Sequence, residues 1–267
     1  MGTVEDQVVI VTGGASGIGA CLCRSFAAAG ARTVVVVDRD AEGSAAVAAE
    51  VGGVSVELDL GDGDAVTEAF TAIEDEHGPV DVLCNNAGIA SGADPLTTPL
   101  DEWQLQWDVN VMSHVHALRA VLPGMLARGE GRVLHTASMA GILSSHGNAV
   151  YATTKHAVVG LAEWLAFTYA HRGLKVHLLA PLGVNTPMLA ATADPEWQRS
   201  AAGEVVEPED VAEMVLDAFR EERFLITTDD VAQEWMTFKT AEPDKWLRGM
   251  GKLQQRIEAA DGSAATG

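Results

Sequence analysis

The fold is decided by residues 8–19, which read VVIVTGGASGIG. The β-branched run at the start of this stretch predicts a buried strand, and the glycines that follow it predict a tight turn. Beyond the turn, apolar residues recur at a spacing of three or four, which predicts a helix with one face on a sheet. These residues are Ile18, Leu22, Phe26 and Ala29.

The same alternation of strand and helix patterns continues along the chain. The strand runs are almost continuously hydrophobic, which is typical of a parallel sheet covered on both faces by helices. The sequence therefore predicts an α/β fold with a doubly wound parallel sheet of about seven strands. The runs are 8–11, 33–37, 54–58, 80–84, 133–135, 176–179 and 224–226. We expect one domain over residues 1–267, with a C-terminal extension at about 228–258 and a disordered tail at 259–267.

Composition narrows the class of protein. The chain has 267 residues, of which 48% are hydrophobic, and carries a net charge of −21. Such an acidic balance argues against nucleic acid as a partner. The acidic N-terminus and the absence of any run of ~18 apolar residues argue against a signal peptide and a membrane span. Three cysteines form no even-numbered framework, so we expect a cytoplasmic protein.

The first turn predicts a dinucleotide site. Glycines let a phosphate approach the backbone, and the N-terminus of the next helix offers free N–H groups. Asp38 ends the second strand, where it can accept hydrogen bonds from a ribose and repel a 2′-phosphate, so NAD is favoured over NADP. Asp59, at the end of the third strand, is either an adenine contact or a helix cap. Two further alternatives stay open: the glycines serve only the turn, or Arg39 binds a 2′-phosphate.

Four further motifs follow in order along the chain. They are Asn85-Asn86-Ala87-Gly88, Asn110, Ser138 and the stretch YATTK at 151–155. With the glycine spacing T-G-x3-G-x-G, they resemble the short-chain dehydrogenase/reductase family over about residues 5 to 190. The resemblance implies a Rossmann-like fold and an NAD(P)-dependent enzyme that moves hydride between an alcohol and its carbonyl. It also implies a homo-oligomer, a dimer or a tetramer.

Tyr151 and Lys155 lie four residues apart and share one helical face, so the ammonium can approach the phenol. A nearby cation favours the phenolate, and an unperturbed tyrosine pKa is about 10. Ser138 follows a strand and can donate a hydrogen bond to a carbonyl oxygen. By resemblance, Asn110 completes a proton relay to Lys155 through water. Three alternatives stay open. Tyr151 and Lys155 are only neighbours on the surface, Ser138 caps a turn, or backbone groups satisfy the Asn110 side chain.

The glycine loop and the resemblance together imply a set of cofactor contacts around the strand ends. These are Gly13, Ser16, Gly17, Ile18, Gly19, Asp38, Arg39, Asp59, Leu60, Asn86, Ala87, Gly88, Tyr151, Lys155, Val184 and Thr186. Two stretches depart from the family pattern. After Pro181 the glycine comes one residue later than in the family, so the path of this loop can differ. The residues after 226 lack the glycine-rich segment that is common in the family, so the oligomer contacts can differ.

The resemblance also implies a substrate pocket lined by apolar side chains, which favours a hydrophobic secondary alcohol or ketone. The residues are Met139, Leu143, His146, Met188, Leu189 and Trp197, in part from a substrate loop at about 187–205. His146 is either a polar anchor or an exposed loop residue. Apolar residues at helical spacing further on, from Val231 to Met250, cover the active-site mouth or another subunit, or form a plain outer helix, which we favour. No metal is expected, because no two histidines have zinc-site spacing.

Two other functions are compatible with these motifs. One is a carbonyl reductase that works with NADPH, and the other is a protein that binds NAD(H) as a redox sensor without catalysis. The complete set of tyrosine, lysine, serine and asparagine argues against the sensor.

Overall fold

A computed structural model of the protein describes residues 4–92, 94–192 and 204–264. Seven parallel strands form one sheet. They are β1 Val8–Thr12, β2 Thr33–Asp38, β3 Val54–Glu57, β4 Val82–Asn85, β5 Gly131–Thr136, β6 Leu174–Ala180 and β9 Leu225–Thr227. Their order in the sheet is β3-β2-β1-β4-β5-β6-β9. Two short strands, β7 Gly183–Val184 and β8 Val205–Val206, pair separately.

Helices connect the strands and cover the sheet, so the predicted doubly wound parallel fold is confirmed. The helices are α1 Gly17–Ala28, α2 Ala41–Val51, α3 Gly63–His77, α4 Leu100–Trp107, α5 Ser113–Arg128, α6 Ala140–Leu143, α7 Ala149–Tyr169, α8 Pro187–Thr192, α9 Pro208–Glu221, α10 Asp230–Ala241 and α11 Pro243–Ala264. A π-helical turn, Asp108–Met112, joins α4 to α5. Within the described residues, no helix is both long and apolar enough to cross a membrane.

The core lies on both faces of the sheet, which explains why the strands are hydrophobic at every position. Along β1, Val9 and Val11 belong to the same buried cluster as Phe26 of α1. Val8 and Ile10 point the other way and belong to the cluster that contains Phe70 of α3. Alternate side chains of a strand point to opposite faces, so a sheet between two helical layers needs apolar residues at both.

The strand order reverses between β1 and β4. In open parallel sheets a crevice forms at such a point, outside the carboxyl ends of the strands, and ligands bind there. The glycine loop follows β1, and the stretch 85–88 begins at the end of β4. The topology therefore brings together two motifs that are more than seventy residues apart in the sequence.

The C-terminal region differs from the expectation in two ways. Helix α11 continues to Ala264, so the tail predicted from residue 259 is wrong over 259–264. Nor is this region a plain outer helix: Trp246 is buried in a third cluster with Met139 and Leu143, and it lines the central cleft. Instead of a glycine-rich close, β9 leads to α10, whose first turn is capped by Asp229 accepting from the Val231 N–H at 2.8 Å.

Candidate active site

One cleft of about 1190 Å³ runs along the carboxyl ends of the strands, from the glycine loop to α11. Pockets for one small ligand are commonly ~300–1,000 Å³. The cleft is therefore larger than the usual pocket for one small ligand. It is lined by all of the expected cofactor contacts except Gly19, and by Ser138, Met139, Leu143, His146, Met188 and Leu189. Trp197 lies outside the described residues.

The glycine loop is shaped by steric limits. Gly13 has φ +67°, and a Cβ there would lie 2.9 Å from Ala87 Cα. Gly17 has φ +51° and also faces the cleft. Gly19 is not among the residues that line the cleft. A Cβ on Gly19 would lie 2.0 Å from the Gly13 carbonyl oxygen, which means that this glycine lets α1 approach the loop.

The loop is joined to the segment after β4 by hydrogen bonds. The Thr12 hydroxyl oxygen accepts from the backbone N–H groups of Asn86, at 2.9 Å, and Ala87, at 3.1 Å. The Asn86 side-chain amide donates to the Thr12 carbonyl at 3.1 Å, and its oxygen accepts from the Thr136 hydroxyl at 3.1 Å. These bonds fix the ends of β1, β4 and β5 relative to one another.

Acidic side chains occupy the ends of β2 and β3. The Asp38 carboxylate accepts from Ala15 N at 3.0 Å and Asp40 N at 3.1 Å, so it is held against the glycine loop. Arg39 is exposed and also lines the cleft. The Asp59 carboxylate accepts from Gly61 N at 2.9 Å, but Asp62 caps α3, so Asp59 is not the cap of that helix. An oriented carboxylate beside a glycine turn fits an adenosine ribose and pyrophosphate.

Tyr151, Lys155 and Ser138 line the same cleft as the glycine loop. The Asn148 side chain caps α7 by accepting from Tyr151 N at 2.9 Å, which places Tyr151 in the first turn. The Lys155 ammonium donates to the Thr136 carbonyl at 2.8 Å and lies 5.6 Å from the centre of the Tyr151 ring. The Ser138 hydroxyl donates to the Pro181 carbonyl at 3.5 Å and is close enough to the Tyr151 hydroxyl to lower its pKa.

Burial controls the protonation of this group. It raises the pKa of Tyr151, and the hydrogen bond from Ser138 offsets only part of that rise. The sequence-based expectation that Lys155 would lower the tyrosine pKa is therefore wrong in its net direction, because the phenolate loses more by desolvation. Burial also lowers the pKa of Lys155 from 10.5 to about 8. At neutral pH the pair consists mainly of a phenol and an ammonium.

Asn110 is buried in the π-helical turn and does not line the cleft. Its side-chain oxygen accepts from Ile89 N at 2.8 Å, and its amide donates to the Ile89 carbonyl at 2.9 Å and the Thr154 hydroxyl at 3.0 Å. Backbone and side-chain partners thus satisfy the amide, as the alternative expectation had it. A Cβ on Gly88 would lie 3.2 Å from Lys155 Nζ and 3.4 Å from Asn110 Oδ1, so a larger residue here would press against both side chains.

The late glycine after Pro181 does not displace the loop from the cleft. Gly183 and Val184 form β7, and Val184 and Thr186 both line the cleft. A Cβ on Gly17 would lie 3.1 Å from Thr186 Cγ2, so this loop touches the glycine loop.

The substrate end of the cleft holds features that the sequence missed. His146 is not an exposed loop residue, since its Nδ1 lies 2.7 Å from Gln254 Oε1. Leu253, Gln254 and Ile257 of α11 also line the cleft. The helical spacing of apolar residues from Trp246 through Met250 continues to Leu253 and Ile257. This spacing is the sequence signal that could have identified them as cleft residues.

Two buried histidines lie under the site. His114 Nδ1 and His135 Nδ1 are 3.0 Å apart, and the rings are stacked. Burial lowers the pKa of both, that of His135 to about 3, and the nearby Lys155 charge adds to the shift. Across the described ranges, no three His, Cys, Asp or Glu side chains are placed to hold a metal ion.

Comparison with known proteins identifies the family. A family model described as short chain dehydrogenase matches residues 7–197. The 1-deoxy-11-beta-hydroxypentalenate dehydrogenase of Streptomyces exfoliatus is 35% identical over 239 residues, which cover 86% of each chain. The chain therefore belongs to the short-chain dehydrogenase/reductases, oxidoreductases that act on CH–OH and C=O groups.

Solved structures have the same fold, and one of them binds NAD whereas another binds NADP. A short-chain dehydrogenase/reductase from Burkholderia phymatum in complex with NAD has a TM-score of 0.83 at 27% identity, covering 91% of this chain and 96% of its own. A putative NAD(P)-dependent gluconate 5-dehydrogenase from Beutenbergia cavernae with bound NADP has a TM-score of 0.77 at 32% identity, covering 85% and 96%. The Rossmann-like fold is thus that of the family, and the family's cofactor is NAD or NADP.

Proposed function

We propose that the protein is an NAD-dependent oxidoreductase that interconverts a small, hydrophobic secondary alcohol and its ketone, with Tyr151 as the acid and base. One observation carries the proposal: the Ser138, Tyr151 and Lys155 side chains meet in the same cleft as the glycine loop. Because these three side chains and the glycine loop share one cleft, a proton donor would be within reach of a substrate that lies beside a bound dinucleotide.

NAD is the proposed cofactor because of Asp38. Its carboxylate is fixed by two backbone N–H groups and still has lone pairs for ribose hydroxyls, while its charge opposes a 2′-phosphate. The other residues that would hold the dinucleotide are those of the glycine loop and of the segments around Leu60, Asn86 and Thr186. When bound, the nicotinamide would supply or accept the hydride.

The chain's own residues would handle the proton. In ketone reduction, the Tyr151 phenol donates its proton to the substrate oxygen while Ser138 donates a hydrogen bond to the same oxygen. The raised pKa of Tyr151 keeps that proton in place at neutral pH. Lys155 would stabilise the phenolate that remains. In alcohol oxidation the phenolate takes the hydroxyl proton. Asn110 would position the Lys155 region by linking Ile89 to Thr154.

Binding and turnover measurements test this function. We expect NADH to bind at least ~10-fold more tightly than NADPH, and a panel of secondary alcohols and ketones to contain substrates. A preference for NADPH would favour the carbonyl reductase. Tight NADH binding without turnover of any compound would favour the redox sensor.

The remaining sequence-based expectations belong to the same proposal. We propose a single catalytic domain that works as a homo-oligomer. A cytoplasmic location fits the three cysteines, which are free and buried. Sedimentation of the purified protein would give the oligomeric state.

A further inference from the structure

The second half of α11, residues 251–258, closes the substrate end of the cleft. Leu253, Gln254 and Ile257 line the cleft, whereas the other side chains of this segment are exposed. Leu253 and Ile257 lie four residues apart and so share one helical face. The segment thus presents an aliphatic surface to the same space that Tyr151 faces.

The two halves of α11 differ in what covers their apolar side chains. In the first half, Trp246 is 9% exposed and packs in a cluster with Met139 and Leu143. Of the residues that the structure describes, none forms such a cluster with Leu253 or Ile257. Their aliphatic surface faces the cleft, where an apolar ligand would remove it from water.

A chain of hydrogen bonds holds this half of the helix in place. Gln254 Nε2 donates to Glu258 Oε1 at 2.9 Å, and because a carboxylate only accepts, this bond fixes the orientation of the Gln254 amide. Gln254 Oε1 then accepts from His146 Nδ1 at 2.7 Å. His146 lies in the loop between α6 and α7, five residues before Tyr151. A second bond ties the C-terminal region to α6, from Lys239 to the Ile142 carbonyl.

We propose that Leu253 and Ile257 form a subsite for the apolar body of the substrate, and that the bond between His146 and Gln254 holds this subsite beside Tyr151. The proposal rests on the proposed function and names its substrate class. The substrate is a secondary alcohol or ketone whose largely apolar carbon skeleton extends from the reacting carbon towards α11.

Two ketones of different size test the subsite, 2-decalone as the bulky probe and cyclohexanone as the small one. Their dissociation constants are measured with the enzyme–NADH complex by fluorescence, together with kcat and KM. We expect wild-type protein to bind 2-decalone at least ~10-fold more tightly, since each buried aliphatic contact adds affinity. Equal binding of the two ketones overturns the subsite. Tight binding of 2-decalone without NADH oxidation counts against the proposed function instead.

Removing the aliphatic surface should affect only the bulky ketone. In the double variant Leu253→Ala with Ile257→Ala, we expect the dissociation constant of 2-decalone to rise ~10-fold or more, with cyclohexanone and NADH within ~2-fold of wild type. Gln255→Ala, an exposed change on the same turn, is the matched control and should alter neither ketone. An equal loss for both ketones, or no loss for 2-decalone, contradicts the proposal.

The role of the hydrogen bond is tested by loss and rescue. Gln254→Ala removes the acceptor for His146 and should weaken 2-decalone binding ~3- to 10-fold while cyclohexanone stays unchanged. The exchange Gln254→Glu with Glu258→Gln keeps an acceptor for the His146 N–H, a second bond along the helix and the net charge. It should restore binding to within ~2-fold. If the exchanged variant binds as weakly as Gln254→Ala, or if Gln254→Ala binds normally, the positioning role is wrong.

Discussion

The two ends of the cleft are built by different means. The cofactor end consists of backbone: glycines that fit only without a Cβ, and N–H groups held by Thr12 and Asp38. The substrate end consists of side chains from segments far apart in the chain, such as His146 and Gln254. A binding site built from backbone groups tolerates few residue types, whereas the surface of a site built from side chains changes with each substitution. The first end therefore suits a constant ligand and the second a variable one.

The largest effect is expected where the two ends meet. Tyr151→Phe removes the proton that is transferred but keeps the ring, so turnover should fall by at least ~100-fold while the NADH dissociation constant stays within a few-fold. The chain has two tyrosines, and Tyr169→Phe is the matched control with near-normal turnover. Stopped-flow and steady-state rates of NADH oxidation measure both. Near-normal turnover of the Tyr151 variant would refute its role.

A smaller effect should distinguish a packing glycine from an unconstrained one. Gly19→Ala places a Cβ 2.0 Å from the Gly13 carbonyl oxygen, so the loop must shift, and we expect NADH binding to weaken ~10-fold or more. Gly160→Ala on α7 meets nothing within 4 Å and should stabilise the fold by ~0.5–1 kcal/mol through helix propensity. Fluorescence titration and chemical unfolding measure these two results. Unchanged NADH affinity in the Gly19 variant would mean that the loop adapts.

Asp38 should set the choice of cofactor at the backbone-built end. Asp38→Asn keeps an acceptor for the Ala15 N–H but removes the charge, so the ratio of NADPH to NADH dissociation constants should fall ~10-fold. Glu57→Gln, an exposed change at the paired position of β3, is the control. A ratio that stays constant in the Asp38 variant would remove the argument for NAD.

Acid should weaken the sheet that supports both ends. The pKa of His135 is lowered from 6.5 to about 3 by burial, so the unfolded chain binds more protons between these values. Stability is therefore lost as pH falls from about 6.5 towards 3, by at most ~1.4 kcal/mol per pH unit for this histidine. Urea unfolding at pH 7 and 5 should show a shallower loss for His135→Asn than for the exposed control His171→Asn. Equal slopes would contradict the assignment.

The sequence predicted which segments line the cleft around the glycine loop, because these signals are local. The turn after Val11, the acid at Asp38 and the spacing of Tyr151 and Lys155 are each readable within a few residues, and the strand order then brings them together. Spacing alone did not reveal that Gly19 permits the close approach of α1 to the loop, because it does not distinguish a glycine that contacts a ligand from one that permits helix packing.

Other features depend on contacts that no local pattern encodes. His146 and Gln254 are 108 positions apart, so their hydrogen bond could not be anticipated. Helical spacing predicted an apolar helix after residue 240 but not the surface that it covers. The net rise in the pKa of Tyr151 also needed the structure, because the spacing revealed the nearby cation and not the depth of burial.

The π-helical turn at 108–112 has a consequence for insertions and deletions. Such a turn holds one more residue than the α-helical turns on either side, so Asn110 is held at Ile89 and Thr154 by a local change of helical phase. Deleting a single residue here would let the turn wind as a regular α-helix with α4 and α5 in about the same relative rotation, and it would remove the widened turn that holds Asn110. Loss of one residue at this point would therefore break the Asn110 contacts with Ile89 and Thr154 while leaving the helices on either side in place.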